Sequence, residues 1–261
     1  MSDENHIEHQ ADRPKKGHLW PAPPCQAACP VQTDARQYLS LIARERYHEA
    51  LDVIMEANPL PSVIGRICAH PCEQACRRGQ VEDPIAICHL KRFVTDKLRI
   101  SDGQVKVGLV PQTKGKSIAV VGSGPSGLTA AHGLARHGYK VTIYEKNDKP
   151  GGMLRYGILD FRLPPEVLDA DINNVLAVGI ELKTGVNIGK DVDFQDLLKD
   201  NDAVLIAVGL SASRSLPIDG VGLDGVHLAI PVLEAINEGQ SVELGSDVVV
   251  VGGGNVAVDV A

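Results

Sequence analysis

Residues 117–127 read Ser-Ile-Ala-Val-Val-Gly-Ser-Gly-Pro-Ser-Gly, and this stretch decides the fold. The β-branched run Ser117–Val121 has the texture of a buried parallel strand. Gly122-Ser-Gly124-Pro-Ser-Gly127 then fits G-x-G-x-x-G, and a helix is expected from about Gly127 to His137. Each glycine answers a separate demand. Gly122 permits the tight turn out of the strand, Gly124 lets backbone approach a pyrophosphate, and Gly127 lets the helix pack close to the sheet. The helix N-terminus offers free N–H groups and partial positive charge to phosphates. Glu145 closes a second expected strand, Lys140–Tyr144, roughly 20 residues on, where an acid grips a ribose hydroxyl. In this context the motif predicts dinucleotide binding. Two further apolar runs, Ala203–Val208 and Asp247–Val251, read as buried strands. Strands alternating with helices predict a parallel sheet with right-handed crossovers.

A second glycine-rich turn, Lys149-Pro-Gly-Gly152-Met-Leu154-Arg155-Tyr-Gly157, follows the acid. It suits a flavin nucleotide, which needs another close backbone approach; an ordinary Pro-Gly turn after a strand is the plainer alternative. The device at 120–127 also recurs. VVGGGNVA at 250–257 repeats the strand–turn–helix pattern, and the chain ends at Ala261, a few residues into that second helix. A strand and an opening helix cannot bury their faces alone, so the sequence is expected to be part of a longer protein.

Working toward the N-terminus, the texture changes. All six cysteines lie between Cys25 and Cys88. No strand pattern appears among them. Leu39, Ile42, Leu51 and Ile54 keep roughly helical spacing from Gln37 to Met55, and Ile87, Leu90, Phe93, Val94 and Leu98 do so from Ile85 to Leu98. A small α-helical domain is expected. Before it, residues 1–24 form a polar arm ending in WPAPP. It has no apolar core, so it is not a secretory signal. No apolar run approaches the roughly 18 residues that span a bilayer. The expected compartment is cytoplasmic and reducing, where clustered cysteines read first as a metal or cluster site. The net charge of −7 argues against a nucleic-acid partner.

The cysteine spacing favours iron–sulfur. Cys29 precedes Pro30, as the last cysteine of a ferredoxin-type motif often does. Cys68, Cys72 and Cys76 recur at near-helical pitch or in a tight loop, so several thiolates converge. Six thiolates fill one [4Fe-4S] cluster and cannot fill two. A zinc site lacks its usual C-x2-C spacing here, and buried inert thiols are the remaining alternative. His70 reads as a hydrogen-bonding or solvent-facing residue rather than a ligand. Arg77 and Arg78 read as a solvated helix face.

Taken in order, VVGSGPSGLTAA (120–131), YEKNDKPGGMLRYGI (144–158), FRLP (161–164), AVGL (207–210) and VVVVGGGNVAVDVA (248–261) resemble the small subunit of glutamate synthase and its relatives. Those relatives include part of dihydropyrimidine dehydrogenase and the large subunits of NADPH-dependent ferredoxin oxidoreductases. The cysteine segments at 25–51, 58–79 and 86–97 join the resemblance. It implies electron transfer between a pyridine nucleotide, FAD and [4Fe-4S] clusters, and onward to a partner subunit or domain. It also implies FAD contacts at Gly122, Gly124, Pro125, Ser126 and Gly127, with Glu145 on the adenosine ribose. Gly152, Leu154 and Arg155 would lie along the flavin and its phosphates, and the Val186 backbone would meet the adenine. Gly252, Gly254, Asn255, Val256, Ala257 and Asp259 match the nicotinamide-nucleotide loop. The family's preference points to NADP(H), with NAD(H) open. Catalysis rests on the cofactors, and no protein acid or nucleophile is expected.

In the longer members two clusters interleave their ligands. The matched positions imply Cys29, Cys68 and Cys72 for one cluster, and Cys25 and Cys76 for a second that lacks the family's upstream CxxC pair. Cys88 is a candidate fourth ligand. One cluster at least is expected. The resulting organisation is an arm (1–24), an α-helical [4Fe-4S] domain (25–100), a linker (101–115), the first part of a Rossmann-like FAD domain (116–240) and the start of an inserted NAD(P)-binding domain (241–261). A relay or assembly subunit without its own turnover is the competing reading.

Overall fold

The computed structural model describes residues 22–102 and 108–261. The expected arm, up to residue 21, and residues 103–107 of the expected linker lie outside these. The chain opens with α1 (Pro24–Ala27), α2 (Ala35–Ala43), α3 (Tyr47–Ala57), α4 (Pro61–Ile67), α5 (Pro71–Gln74), a 3-10 turn (Arg77–Gln80) and α6 (Ile87–Asp102). Among the described residues of this unit there is no strand, as its sequence implied. Asp34 caps α2 by accepting the Gln37 N–H at 2.9 Å; such a cap contributes about 1 kcal/mol.

The continuous helix expected from Gln37 to Met55 is two helices. Glu45 takes a left-handed conformation (φ 60°), and the N–H groups of Arg44 and Arg46 both return to the Leu41 carbonyl. The break lets α2 and α3 fold face to face, burying Tyr38 and Ile42 with Ala50, Leu51 and Ile54 in one core. Helix α6 closes that core with Ile87, Val94 and Leu98. Its apolar face also differs from expectation. Phe93 is largely exposed, edge-on to Tyr47, while Lys91 is buried.

The second unit is a four-stranded sheet in the order β3-β2-β1-β4. Its strands are β1 (Ser117–Val121), β2 (Lys140–Tyr144), β3 (Glu181–Lys183) and β4 (Ala203–Ile206). Every pairing is parallel. Helix α7 (Pro125–Arg136) crosses from β1 to β2. It is followed by α8 (Met153–Tyr156), α9 (Pro165–Leu176), α10 (Phe194–Asp200), α11 (Ala229–Asn237) and α12 (Asn255–Val260). Leu128 and Ala131 of α7 pack on Val120, Val141 and Ile143 of the sheet, with Leu168, Ile172 and Val175 of α9 in the same core. Because β1 has β2 on one side and β4 on the other, the strand order reverses beside β1. That is where open parallel sheets hold ligands, beyond the carboxyl ends of the strands.

Two strand expectations change. β4 is an edge strand, with Leu205 and Ile206 exposed rather than buried. Residues 247–251 form no strand. Val249 is 87% exposed, and among the described residues nothing pairs with this run. A β-branched sequence becomes a strand only where a neighbour completes its ladder.

The two units share a seam. Leu60 and Val63 of the helical unit join the core of the α/β unit. Asp171, on α9, accepts the N–H groups of Ser62 (2.8 Å) and Val63 (2.9 Å) with one carboxylate oxygen. It therefore caps α4, the helix that leads into Cys68. Burial raises the Asp171 carboxyl to about 6, against the pull of these N–H donors. The protonated form is thus favoured by folding. Its contribution is full below the unfolded value near 3.9 and is lost as pH rises through about 6. Asp171→Asn keeps the acceptor and removes the titration. Between pH 4 and pH 7 the wild type is expected to lose about 2 kcal/mol relative to this variant, read as the difference in denaturant midpoints. Parallel pH profiles of the two proteins would disprove it.

Candidate cofactor-binding sites

The first glycine turn is held by contacts that only hydrogen side chains allow. Gly122 sits at φ 104°, and a Cβ there would lie 2.4 Å from the Ala207 carbonyl oxygen. A Cβ on Gly127 would lie 2.0 Å from the Gly122 carbonyl oxygen. At Gly124 a Cβ would meet nothing within 4 Å. Two glycines therefore serve the fold, and the third borders open space. Pro125 starts α7, where its missing N–H is no loss. The first-turn N–H groups, those of Ser126 and Gly127 among them, have no partner within the helix.

Ser123 ties this turn to the rest of the site. It is 0% exposed. Its N–H (2.9 Å) and its hydroxyl (2.5 Å) both donate to one oxygen of Glu145. Its own carbonyl and hydroxyl oxygens accept the Gly151 N–H at 3.1 and 3.2 Å. Gly152, at φ 54°, lies so close that a Cβ would fall 2.8 Å from the Gly124 Cα. Glu145 is 5% exposed. Its other oxygen accepts the Asn147 N–H at 2.9 Å and retains a lone pair that a ribose hydroxyl can use. The Val186 N–H donates to the Glu145 carbonyl at 2.9 Å. Gly122, Gly124, Gly127, Glu145, Gly152 and Val186 thus share one rim at the carboxyl end of the sheet. Sequence reasoning passed over Ser123. Its signal was a hydroxyl residue inside a glycine turn, facing an acid at the end of the next strand.

Leu154 is turned into the core, so a ligand meets its backbone rather than its side chain. Arg155 donates to the Pro150 carbonyl at 2.5 Å and pairs with Asp169. The nicotinamide-loop candidate has Gly252 at φ 140°, and Gly254 precedes α12, which carries Asn255, Val256, Ala257 and Asp259. Asp259 is buried and accepts from Arg162 at 2.6 Å. Arg162 belongs to the FRLP segment, for which the sequence named no role. On α11, Asn237 donates to the Tyr156 carbonyl at 2.9 Å. These contacts tie α12 to the 161–164 segment and α11 to α8.

The cysteines come from three places: Cys25 and Cys29 in and after α1, Cys68, Cys72 and Cys76 around α5, and Cys88 on α6. The segment from Cys68 to Cys76 is neither a helix nor one loop. His70 is left-handed (φ 42°), and a single helical turn follows it. Among the described residues no three His, Cys, Asp or Glu side chains close on a single-ion site. A cubane cluster spreads its ligands over separate iron corners, so the pairwise relations of the thiols are the relevant test. The Cys68 and Cys88 thiols hydrogen-bond to each other. That bond, helped by the His70 N–H and the Lys91 charge, brings Cys68 down to about 5 against burial, while the same bond together with burial pushes Cys88 up against Lys91. Burial pushes Cys72 up, opposed by Lys91. Burial also pushes Cys29 up, but the Thr33 and Val31 N–H groups, the Thr33 hydroxyl and Lys91 outweigh it. Lys91 therefore acts on Cys29, Cys68, Cys72 and Cys88 together. Tyr38, whose hydroxyl donates to the Ile87 carbonyl at 3.2 Å, is driven up first by burial and then by Cys72, Cys88, Cys29 and Cys25. Cys76 stands apart. It is lowered first by the Ile85 N–H, against burial, with the Arg78 and Gly79 N–H groups and the Arg78 charge adding to it. A unit that gathers several cysteines, four of them within the influence of one lysine, has the donor chemistry an anionic thiolate-ligated cluster uses.

Residues 1–102 match the family described as dihydropyrimidine dehydrogenase domain II, 4Fe-4S cluster. Residues 116–261 match the pyridine nucleotide-disulphide oxidoreductases. Among individual proteins, the chain is similar to the NADP(+)-dependent formate dehydrogenase subunit beta of Moorella thermoacetica, at 39% identity over 91% of this chain and 37% of that one. It is 36% identical to the glutamate synthase [NADPH] small chain of Mycobacterium tuberculosis, over 91% and 51%. It is 38% identical to the NAD-dependent dihydropyrimidine dehydrogenase subunit PreT of Escherichia coli, over 91% and 58%. The chain thus spans 37%, 51% and 58% of these relatives' lengths.

Proposed function

Since the chain belongs to the pyridine nucleotide-disulphide oxidoreductase family, we propose that it works as an NAD(P)H-dependent iron–sulfur flavoprotein, passing electrons between NAD(P)H, FAD and a [4Fe-4S] cluster and on to a partner subunit. When bound, FAD supplies the exchange between the two-electron chemistry of a nicotinamide and the one-electron chemistry of a cluster. The observation that carries this reading is the cradle in which Ser123 joins Glu145 and both glycine turns.

In this reading the protein's own residues bind and orient. Gly124 and the first turn of α7, with Pro125, Ser126 and Gly127, receive the pyrophosphate. Glu145 holds the adenosine ribose through its spare lone pair, beside the Val186 backbone at the adenine. Gly152 and the backbone of Leu154 and Arg155 flank the flavin end. Gly252, Gly254, Asn255, Val256 and Ala257 receive the nicotinamide nucleotide, and Asp259 fixes their helix through Arg162. Cys29, Cys68, Cys72 and Cys88 hold one cluster, with Cys25 and Cys76 left for other roles. Residues 25–100 form the cluster unit, 116–240 the FAD unit and 241–261 the beginning of the nicotinamide unit. The printed names of the relatives mention both NADPH and NAD and describe subunits or a small chain, which supports a partner protein and leaves either nucleotide eligible. No helix among the described residues is long and apolar enough to cross a membrane, in keeping with a cytoplasmic site of action.

The full-length gene product containing this chain, purified without oxygen, is expected to show flavin bands over a broad iron–sulfur shoulder. About four irons per chain are expected, with the colour bleached by NADPH or NADH. A colourless protein holding zinc and no flavin would overturn the proposal.

A further inference from the structure

Helix α6 carries Cys88 and Lys91 one turn apart, so both lie on the same face. Around Cys88 it meets α5, whose Glu73 accepts the Cys88 N–H. Lys91 is only 7% exposed. Its basic neighbours in this unit have acids: Arg66 and Arg92 both reach Asp96. Among the described residues no carboxylate lies within ion-pair distance of Lys91. The candidate ligand Cys88 instead lies one turn away, itself buried, with its thiol turned toward the Gly65 and Ile64 carbonyls of α4 at 3.6 and 3.8 Å. Glu73 is already engaged: it accepts the Cys88 N–H at 2.8 Å and faces His70 Nδ1 at 3.2 Å. A buried ammonium without a counter-charge is costly, so the site is organised for an anion.

We infer that Lys91 is a positioning residue for the cluster's electronics: a fixed positive charge, not a ligand, that raises the cluster's reduction potential. The inference rests on the cluster reading above. An ammonium has no lone pair to offer iron. A four-thiolate cluster is anionic when oxidised and more so when reduced, so a nearby cation favours the reduced form. Net charge around a cluster is among the main determinants of its potential. With Lys91 in place the cluster is a better acceptor for single electrons from a reduced flavin.

The test is an anaerobic redox titration of the full-length holoprotein, followed by electron paramagnetic resonance, with iron counted per chain. Lys91→Leu removes the charge and Lys91→Arg keeps it. The expected result is full iron in both variants, a potential shifted to more negative values in Lys91→Leu, and one near wild type in Lys91→Arg. An unchanged or more positive potential in Lys91→Leu overturns the inference. Should Lys91→Leu lose its iron, Lys91→Arg decides. Iron retained there shows that the charge is needed, and iron lost in both shows a steric role and overturns it. A wild-type protein without iron would instead sink the cluster reading itself.

Discussion

Gly127→Ala is expected to destabilise the α/β unit by about 3 kcal/mol or more, the upper range for forcing atoms into a packed site. The added Cβ would fall 2.0 Å from the Gly122 carbonyl oxygen. Neither partner can yield cheaply. Gly127 is in the first turn of α7, whose Leu128 and Ala131 are pinned to the sheet. Gly122 is pinned in turn by its N–H bond to the Tyr144 carbonyl at 2.8 Å and by Ala207. The variant should yield little folded protein and no flavin. Gly124→Ala supplies the contrast. Its Cβ meets nothing within 4 Å, so stability without flavin should be close to wild type. The same methyl would stand in the space through which a pyrophosphate approaches backbone, and flavin affinity should fall about tenfold or more. Thermal unfolding of flavin-stripped protein and flavin titration separate the two effects. Wild-type flavin affinity in folded Gly124→Ala would show that the pyrophosphate does not lie on this turn.

Cys88→Ala is expected to take the protein from about four irons per chain to nearly none. Cys88 is 8% exposed, and its thiol points toward the Gly65 and Ile64 carbonyls at 3.6 and 3.8 Å as well as toward Cys68. Gly65 makes this proximity possible, because a Cβ there would already come within 3.0 Å of the Arg92 Cα. Helices α4 and α6 meet backbone to backbone at this point, so the residue after α4, Cys68, arrives beside Cys88. Loss of one small thiol from a well-packed site should leave the helical unit folded. Iron content and the paramagnetic signal should therefore fall while circular dichroism is preserved. Cys76→Ser, at the thiol that stands apart, should keep the iron. Full iron in Cys88→Ala would remove Cys88 from the ligand set.

Legibility in the sequence followed the range of the interactions. The strands Ser117–Val121 and Lys140–Tyr144 and the turn between β1 and α7 were readable because glycine spacing and β-branched runs are local signals. Glu145 was readable for the same reason. The break at Glu45 was not, because the apolar spacing runs on through it and only the packing of α2 on α3 rewards the reversal. Phe93 left the apolar side it was expected to join, and Lys91 is buried, because a helical wheel cannot know which neighbours close its faces.

The sequence by itself determined the order of the helical and parallel-sheet units, the need for glycine at Gly122 and Gly127, and the supply of six thiols to the helical unit. These depend on residue type and short spacing. The tertiary structure alone decided that Ser123 joins Glu145 to the second glycine turn and that Asp171 fastens α4 across the seam. It alone buried Lys91 on α6, one turn from Cys88. Each of those arrangements depends on packing between different elements, and their free energy exists only once the folded chain has excluded the water between them.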